Sequence, residues 1–458
     1  MSPARIGWPF AYDWDALARD RIARETGQVM DHAGFDLFSF PSNAGLVFYD
    51  HVRFARAQAA RGRRLGWRAV LSHQEHFGAL AASLIAETLK LPGATPESIL
   101  AAQHKLHARR VLERVAPEAN LRFSELDADY GGDIPQGLPY PSFVKPVKAA
   151  FSVLAREVAS HEQLHAHTRF GRRELWVIRH LVDPFDRLCR DRLPEAGSAH
   201  RMLLEEPVPT EVAQFNLDGW VADGQAHALG VVDAVMVPGT RAFMRWEHPS
   251  RLAAEVQARA LDVARRFLAA IGYGLGFFNL EFFYDAASGR LSVIECNPRL
   301  ASQFGDLYRR VQGRCPHAMA LALAAGDDPM AAPRPEPDAA IAASLVYRSF
   351  DVHRVPPPPS AAQRAAFANA FADGLLFSFP KSGHTLARDF KWTGNHHYGI
   401  VHLGADSRPD LQQRAEHASR LLGWPAPYLD LTAPAPATLR AEARTRTSLP
   451  ATSGATAP

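Results

Sequence analysis

"GFFNLEFFYDAASGRLSVIECNPRL", residues 276–300, is the stretch that decides the fold. Its first half alternates large apolar residues with Asn279 and Glu281, and this period of two predicts a half-buried β-strand. Its second half alternates again, and one side of that predicted strand carries Leu291, Val293, Glu295 and Asn297. An odd-length loop centred on Ser288 would join the two strands as a hairpin and set Glu281 directly opposite Glu295 on one face.

Two carboxylates that face each other across a hairpin repel, and burying them without a partner costs far more. A cation between Glu281 and Glu295 removes both penalties. Together with the amide oxygen of Asn297, the two glutamates form an all-oxygen ligand set, which suits a hard cation such as Mg²⁺. Arg299, two positions further on, is predicted to point to the same side. The alternative is a surface hairpin with both acids in solvent, although the aromatic flanking face favours burial.

The composition is ordinary for a soluble globular enzyme. The chain has 458 residues, of which 47% are hydrophobic and 22% charged, so it has room for about two to four domains. The net charge is 51 − 48 = +3 and basic runs are short, so nucleic acid is not an expected partner. Three cysteines without paired spacing favour a reducing compartment. With no leader-like start and no long apolar run, we expect a cytoplasmic protein without membrane contact.

Several strands and helices are predicted between residues 64 and 275. A strand, a loop and an apolar helix over 64–93 form an α/β unit. Residues 95–117 have helical periodicity behind a threonine cap and a proline. The segment 141–152 is predicted to be a buried strand that ends in basic residues. Residues 200–239 are rich in strand, and 249–272 form a long amphipathic helix that leads into the hairpin.

The last quarter of the chain is predicted to be a separate small unit. A proline-rich stretch at 331–343 has the composition of a linker. Residues 383–407 are predicted to be rich in strand and to be followed by a helix near 409–423. From about residue 433 the sequence is of low complexity and predicted to be disordered.

The hairpin, read with the strands before it, resembles the ATP-grasp superfamily, and the likeness runs from about residue 96 to 325. Its most specific part is the acid Glu281, a short turn, and Glu-x-Asn-Pro-Arg at 295–299, after a long helix. The resemblance implies an α/β fold (α+β in the ATP-grasp unit). Its expected parts are an N-terminal Rossmann-like pre-ATP-grasp domain over 1–95, a two-subdomain ATP-grasp fold over 96–330, a small strand-rich C-terminal α+β domain over 331–432 and a disordered tail over 433–458.

The resemblance also implies a set of nucleotide-binding residues: Lys105, Lys145, Glu205, Glu206, Val208 and Glu211. Lys145 corresponds to the strand lysine that binds phosphate, and Lys105 to an earlier lysine that faces the α-phosphate. The backbone and side chains of 205–208 would contact adenine, and Glu211 the ribose. Each has an ordinary alternative, since Lys105 on an amphipathic helix could be solvated and the glutamates could be charges at a strand end. Lys148 is interpreted as a supporting charge.

The sequence departs from the family after Lys145. Family members often follow this lysine with a glycine-rich loop whose N–H groups fold over the phosphates. Here the chain has no glycine until Gly171. Either Ser152 and nearby amides take over that task or the lid is built differently.

The implied chemistry is phosphoryl transfer from ATP with Mg²⁺, or Mn²⁺, held by Glu281, Glu295 and Asn297. Members of the family typically form an acyl phosphate on a carboxylate, which an amine then attacks to give an amide. Arg299 would be the catalytic residue that stabilises the transferring phosphoryl group or the oxyanion. Its alternative role is a salt bridge to Glu281 or Glu295. The expected partners are a small carboxylate and an amine, and a homodimer is one alternative for the oligomeric state.

Two further functions stay open at this stage. Biotin carboxylase-like members carry a catalytic glutamate after the metal strand where this chain has Gln303, and glutamine cannot accept a proton. A carboxylating or carbamoyl phosphate-forming enzyme is therefore the less favoured hypothesis. A non-catalytic ATP-binding module is the other, although binding alone does not need the whole set of residues. Gln303, Asp306 and Tyr308 are candidates for lining the acceptor site.

Histidines are frequent, and two groups of them stand out. His73 and His76, with Glu75 between them, follow a predicted strand, so they could contact substrate or cap the next helix. The group at 395–399 is interpreted as a loop that enters a strand, because a zinc site would need a second pair of ligands.

Overall fold

The computed structural model describes residues 5–26, 28–36, 42–128, 132–149, 154–425 and 427. Ser152 and the predicted disordered tail lie outside the described residues. The strands are β1 (Arg5–Pro9), β2 (Val29–Ala33), β3 (Trp67–Val70), β4 (Phe123–Leu126), β5 (Ser142–Pro146), β6 (Arg156–Val158), β7 (Met202–Glu205), β8 (Ala213–Ala222), β9 (Gln225–Met236), β10 (Phe243–His248), β11 (Gly276–Asp285), β12 (Arg290–Asn297), β13 (Ile341–Ser349), β14 (Leu375–Ser378) and β15 (His396–Ala405). The helices are α1 (Asp13–Thr26), α2 (His51–Leu65), α3 (Gly78–Leu89), α4 (Pro96–Gln103), α5 (Lys105–Val115), α6 (His161–Thr168), α7 (Arg172–Arg192), α8 (Ala254–Ala270), α9 (Gly305–Gln312), α10 (Pro316–Ala325), α11 (Ala361–Ala370), α12 (Gly383–Thr393) and α13 (Arg408–Leu422).

The N-terminal part contains a three-stranded parallel sheet in the order β2-β1-β3. The predicted α/β unit over 64–93 is present as β3 followed by α3, and every residue from Gly78 to Ala86 on that helix is buried. Trp67 packs so tightly that a Cβ at Gly7 would lie 2.4 Å from its ring, which explains the glycine on β1. Parallel strands need such crossover helices, and the loops that follow the strands meet at one edge of the sheet.

A four-stranded antiparallel sheet follows, in the order β4-β7-β5-β6. Lys145 on β5 pairs with Leu203 on β7, near the strand end at Glu205. Val144 and Leu204 lie on the other face, both almost fully buried in a local apolar core. The predicted strand over 141–152 is thus β5, and it presents its lysine opposite the core face.

An eight-stranded sheet in the order β12-β11-β8-β9-β10-β13-β15-β14 forms the largest element of the molecule. Its first part is the predicted strand-rich region, with the tight turn at Asp223-Gly224 between β8 and β9. The pairing of β10 with β13 carries the same sheet across the predicted linker into the C-terminal segment. The domain boundary near residue 331 therefore stays a prediction, and the sheet itself is continuous there.

The hairpin β11–β12 has the predicted pairing but a different construction. Glu281 pairs with Glu295, and Asn279 with Asn297, as expected. The loop, however, is the even-length segment 286–289 between the paired Asp285 and Arg290, and a β-bulge between Glu281 and Phe282 restores the register.

The predicted side of β12 was consequently wrong. Leu291 and Val293 were expected on the face of Glu295, yet both lie in the apolar core with Cys296. The bulge inserts one unpaired residue, Ile294, and each such insertion reverses the side to which the following residues point. Because of the bulge, β12 buries Leu291 and Val293 in the core and still presents Glu295 to the opposite face.

Two helical predictions also differ from the structure. The helix expected over 95–117 is divided into α4 and α5 at His104, whose backbone is extended (φ −85°, ψ 91°) and whose side chain caps His107 N. Lys105 is thereby the first residue of a new helix. In the C-terminal segment, 383–393 is helix α12 and not part of a strand-rich region, whereas the helix predicted near 409–423 is α13.

The main apolar core lies between the large sheet and the helices α5 and α8. Phe215 stacks on Phe282 with ring centroids 5.2 Å apart, and Phe278 and Phe267 are equally buried. This core fills one face of β11 and β8. The polar face of the same strands is left for the candidate site.

Candidate active site

The acid pair predicted from the hairpin lies at the centre of the candidate site. Burial raises the pKa of Glu281, and the charges of Glu295 and Glu75 raise it further. Burial would also raise the pKa of Glu295, but the positive charges of Lys105 and then Lys145 outweigh it and lower that pKa. The pair therefore resists carrying two negative charges until a further cation joins it. Two carboxylates with a neighbouring amide oxygen suit Mg²⁺, so the residues present fit this metal.

Lys105 contacts the second acid directly. Its Nζ lies 2.9 Å from Glu295 Oε2 and donates to the carbonyl oxygen of Ala149 at 2.9 Å. Burial lowers the pKa of Lys105, but the carboxylates of Glu295 and Glu75 more than offset this and raise it. The break between α4 and α5 at His104 puts this lysine at a helix start, so it points into the site and not into solvent.

Lys145 contacts a different acid. Its Nζ lies 2.8 Å from Glu205 Oε2 and donates to the carbonyl oxygen of Ile294 at 3.3 Å. Arg109 binds the other oxygen of Glu205 at 2.6 Å and donates to the carbonyl oxygens of Val293 (2.7 Å) and Ile294 (3.0 Å). Both bulge carbonyls are thus held by buried cations, immediately before Glu295.

A row of amides orients Glu281. The Nδ2 of Asn297 donates to Glu281 Oε1 at 3.1 Å, and the Nε2 of Gln214 donates to Glu281 Oε2 at 3.2 Å. Asn279 extends the row, because its Nδ2 donates to Asp218 Oδ1 at 2.8 Å. With the nitrogen of Asn297 engaged in this way, its oxygen is the atom that can face a cation.

Arg299 forms its ion pair with a residue from the N-terminal part of the chain. Its guanidinium lies 2.8 Å from Glu75 Oε2, so the alternative salt bridges to Glu281 or Glu295 are not the ones formed. Burial lowers the pKa of Arg299, but Glu75 and Tyr12 raise it more. Arg299 therefore connects the end of β12 to the loop after β3.

The residues expected to bind the nucleoside are spread over a wider region. Glu205 is fully engaged by Arg109 and Lys145, so only its backbone remains for a ligand. Glu206 is a half-buried side chain bound by Arg122 (2.9 Å) and by Arg290. Val208, at the end of the same segment, is half-buried and Glu211 is exposed. The four positions follow β7 in order, but only Glu205 joins the cluster around the acid pair.

The acceptor-site candidates are bound to structural partners. Gln303 Nε2 donates to Ser344 Oγ at 2.9 Å, and Asp306 binds Arg310 at 2.7 Å. Tyr308 is completely buried and donates its hydroxyl to Asp218 at 2.7 Å. Tyr308 is therefore enclosed in the core and does not line an acceptor site, whereas the roles of Gln303 and Asp306 stay predictions.

The histidines after β3 separate into different roles. His73 Nδ1 lies 2.8 Å from Asp15 Oδ1, and His317 Nε2 lies 3.2 Å from the same oxygen, so these three buried side chains bind one another. The helix-capping role falls to Gln74, whose side chain accepts from the backbone N–H groups of residues 77 and 78. Of the group at 395–399, His396 contacts Asp389 at 2.9 Å.

Arg109 is a buried residue of the site that was not predicted from the sequence. It lies on α5 next to the charged residues Arg110 and Glu113, and nothing in that local pattern separates it from a solvated arginine. It is nevertheless 2% exposed.

The chain was compared with known proteins. No family model matches it. A curated relative, the uncharacterized protein y4rH of Sinorhizobium fredii (strain NBRC 101917 / NGR234), is 26% identical over 276 residues, which are 56% of this chain and 51% of that protein. The match therefore spans about half the length of this relative.

Solved structures resemble the chain over nearly its whole length. The L-amino acid ligase of Bacillus licheniformis has a TM-score of 0.62 at 13% identity, and the match covers 92% of this chain and 97% of that one. The biotin carboxylase of Campylobacter jejuni, in its β-γ-ATP complex, has a TM-score of 0.58 at 14% identity, with 91% of each chain covered. N5-carboxyaminoimidazole ribonucleotide synthetase of Thermus thermophilus has a TM-score of 0.57 at 17% identity, with 91% of this chain and 98% of that one covered.

These neighbours are ATP-grasp enzymes, so the chain has the ATP-grasp fold and the resemblance seen in the hairpin is confirmed at the level of the fold. The mixed α/β class is confirmed with it. Among the described residues, no helix is long and apolar enough to cross a membrane.

Proposed function

We propose that this protein is an ATP-dependent ligase that activates a small carboxylate as an acyl phosphate and joins it to an amine, with release of ADP and phosphate. The observation that carries the proposal is the facing pair Glu281 and Glu295, which is half-buried beside Lys105 and close to Lys145. Two facing acids that are partly withdrawn from water repel each other unless a cation joins them, and ATP brings a divalent cation with its phosphates. The ATP-grasp fold supports the same assignment.

Glu281, Glu295 and Asn297 would hold Mg²⁺, or Mn²⁺, which has similar ligand preferences. When bound, the cation neutralises charge on the phosphates and polarises the phosphoryl group that is transferred. Lys105 and Lys145 would bind phosphate oxygens. Each already lies against a carboxylate, so their positive charges are held in place before ATP arrives, and this preorganisation lowers the barrier to phosphoryl transfer.

Arg299 would stabilise charge that develops on the phosphoryl group or on the carbonyl oxyanion. Its planar guanidinium can bind two oxygens at once. Glu75 holds it at 2.8 Å and would fix its orientation without drawing it towards the metal ligands. In this role Arg299 is the catalytic residue and Glu75 a positioning residue.

For the nucleoside we propose the backbone of residues 205–208, with Glu206 at the edge of the adenine pocket and Glu211 for the ribose. The side chain of Glu205 would act indirectly, because it anchors Lys145. The predicted division at residues 95, 330 and 432, the cytoplasmic location and a homodimer belong to the same hypothesis. The three cysteines are free and buried, as a reducing compartment allows.

Carboxylation of a small molecule with bicarbonate is the second candidate, because solved neighbours include a biotin carboxylase. Gln303 speaks against it. Its amide donates to Ser344 at 2.9 Å and cannot take a proton from bicarbonate. Omitting or adding bicarbonate separates the two candidates directly.

The test is ATP turnover with Mg²⁺ against mixed carboxylic acids and amines, with and without bicarbonate. Wild type is compared with Glu295→Gln, which keeps the shape and removes the charge, and with Glu125→Gln as a control in a surface ion pair. We expect ADP release that needs both acid and amine and that falls on the order of 10²–10³-fold in Glu295→Gln. The mass of the product identifies both substrates.

Three outcomes would contradict the proposal. Turnover that depends on bicarbonate and not on an amine would favour carboxylation. Binding of Mg²⁺·ATP without turnover under any mixture would favour a non-catalytic module. Equal turnover by wild type and Glu295→Gln would remove the acid pair from the chemistry.

A further inference from the structure

A second group of buried polar residues lies beside the candidate active site, and none of them has a role in the mechanism above. It consists of Lys148, His51, His76 and Gln103, and we call it the Lys148 cluster. Lys148 follows β5, His51 begins α2, His76 lies between β3 and α3, and Gln103 ends α4. All four are buried, with Lys148 4% and His51 1% exposed. The four residues come from both sides of the predicted domain boundary, and Lys148 and Gln103 are in direct contact across the chain.

The charge of Lys148 has no carboxylate partner among the described residues. Its Nζ donates to Gln103 Oε1 at 2.7 Å and lies 4.5 Å from the centroid of the Phe185 ring. Lys105 and Lys145, by contrast, each lie within 3 Å of a carboxylate. A buried ammonium group that is held only by a neutral amide and a ring is costly, because neither replaces the lost hydration or supplies an opposite charge.

Glu75 does not pair with Lys148, because its carboxylate already binds another cation. Glu75 is the carboxylate that acts most strongly on the pKa of Lys148, but its own oxygen lies 2.8 Å from Arg299. Burial is the larger effect and lowers the pKa of Lys148 to about 7. Gln103 ties the cluster to this loop, since its Nε2 donates to the carbonyl oxygen of Glu75 at 2.8 Å.

The two histidines offer further unused polar atoms. Nε2 of His51 and Nε2 of His76 are both buried without a hydrogen-bond partner among the described residues. His51 Nδ1 lies 2.9 Å from the hydroxyl of Tyr49, so a tautomer that accepts there leaves an N–H donor at Nε2. Both imidazole rings pack against the ring of Phe77, with ring centroids 5.5 Å apart for His51 and 4.5 Å apart for His76. Burial, and then the charge of Lys148, lowers the pKa of both imidazoles.

An anion would supply the opposite charge that Lys148 lacks and a hydrogen-bond partner for an imidazole N–H. We propose that the Lys148 cluster binds the carboxylate of the acid substrate beside the phosphate-binding lysines. The inference rests on the proposed ligase function, because that function requires a carboxylate next to ATP. Gln103 lies two residues before Lys105 and donates to the carbonyl oxygen of Glu75, whose carboxylate binds Arg299, so the cluster adjoins the reaction centre.

An ATP phosphate is the other source of an anion at this position, and the experiment separates the two. The acid found by the turnover screen is used to measure KM in wild type, Lys148→Met and Lys148→Arg, and the Kd of Mg²⁺ with a non-hydrolysable ATP analogue is measured in the same proteins. Loss of one charge-assisted hydrogen bond corresponds to a KM for the acid raised about 30-fold in Lys148→Met. We expect a much smaller rise in Lys148→Arg and an unchanged nucleotide Kd in both.

A second arm does not depend on turnover. The ¹⁹F NMR lines of trifluoroacetate and of trifluoroacetamide, its neutral counterpart, are recorded with the full chain saturated with Mg²⁺ and the ATP analogue. Wild type should broaden the trifluoroacetate line only, and Lys148→Met should lose that effect. Lys381→Met is the control, because Lys381 is already paired with Asp389 at 2.8 Å and lies in the C-terminal segment.

The outcomes are distinct. If wild type turns over no mixture but broadens trifluoroacetate through Lys148, the ligase proposal fails and the carboxylate site stands. If Lys148→Met leaves the KM for the acid and the trifluoroacetate line unchanged, the carboxylate site is refuted while the ligase proposal is untouched. If Lys148→Met raises the Kd of the nucleotide analogue by the same factor as the KM for the acid, Lys148 is a phosphate ligand and the inference is overturned.

Discussion

Arg109 provides the sharpest test of how the candidate site is held together. It is 2% exposed, and its guanidinium binds Glu205 and the carbonyl oxygens of Val293 and Ile294. In Arg109→Met the apolar stem remains, but these groups lose their donor. Ile294 O and Glu205 still have Lys145, so the full loss falls on Val293 O, on one carboxylate oxygen and on Asn120 Oδ1, to which Arg109 donates at 3.1 Å.

The expected magnitude follows from these contacts. A buried acceptor left without a partner costs about 1–3 kcal/mol. Removing one partner of a buried ion pair costs about 3–5 kcal/mol, and the remaining Lys145 keeps the total within that range. We therefore expect Arg109→Met to lower the free energy of unfolding by about 3–5 kcal/mol.

The assay is urea unfolding followed by tryptophan fluorescence, with Arg110→Met as the matched control. Arg110 is the next residue of the same helix, but its side chain is 37% exposed and it binds Glu125 at 3.0 Å near the surface. Such a pair contributes about 0–1 kcal/mol. Equal destabilisation by the two variants, or a loss below about 1 kcal/mol in Arg109→Met, would refute the view that Arg109 anchors the bulge before Glu295.

Other features of the molecule lead to three more predictions. Gly219→Ala should lower the free energy of unfolding by about 3 kcal/mol, because a Cβ would lie 2.2 Å from a backbone oxygen and 2.5 Å from the Phe278 ring. Gly274 has open space around it, so Gly274→Ala should lower it by less than about 1 kcal/mol. Similar urea midpoints for the two variants would contradict this prediction. Burial raises the pKa of Asp218 to about 6, so the stability from this group is present below about pH 4 and is lost as the pH rises through about 6. Asp218→Asn should remove that slope from the unfolding free energy, and an unchanged slope would show that the group does not titrate there. Chelation with EDTA should abolish ATP turnover and added Mg²⁺ should restore it, so full turnover in EDTA would exclude the metal site.

The local sequence was enough to predict the facing acid pair and, through its resemblance to a family motif, the fold. Glu281 and Glu295 are fourteen residues apart on two alternating segments, and a short hairpin brings such residues together with little choice of partner. The same holds for the α/β order of the N-terminal part. In each case the contact is close in sequence, so residue type and spacing carry the information.

The loop length and the bulge of the hairpin were seen only in the tertiary structure. Spacing predicted an odd-length loop, yet the pairing arises from an even-length loop and a bulge at Ile294. The bulge places Val293 in the core and Glu295 on the opposite face, and Arg109 holds its carbonyl groups. Core packing and distant donors decide such a choice, and neither is visible in the alternation of one strand.

The electrostatic partners were decided by the tertiary structure alone. Arg109 and Glu205 are 96 residues apart, and Glu75 and Arg299 are 224 residues apart. Lys148 likewise donates to Gln103 at the end of α4, 45 residues before it. Any buried charge must find a partner, but over such separations the sequence offers many equivalent carboxylates and cations. The sequence by itself determined which charged side chains the chain carries and that two of them face each other across a hairpin. The packing of the sheets decided which distant charges pair.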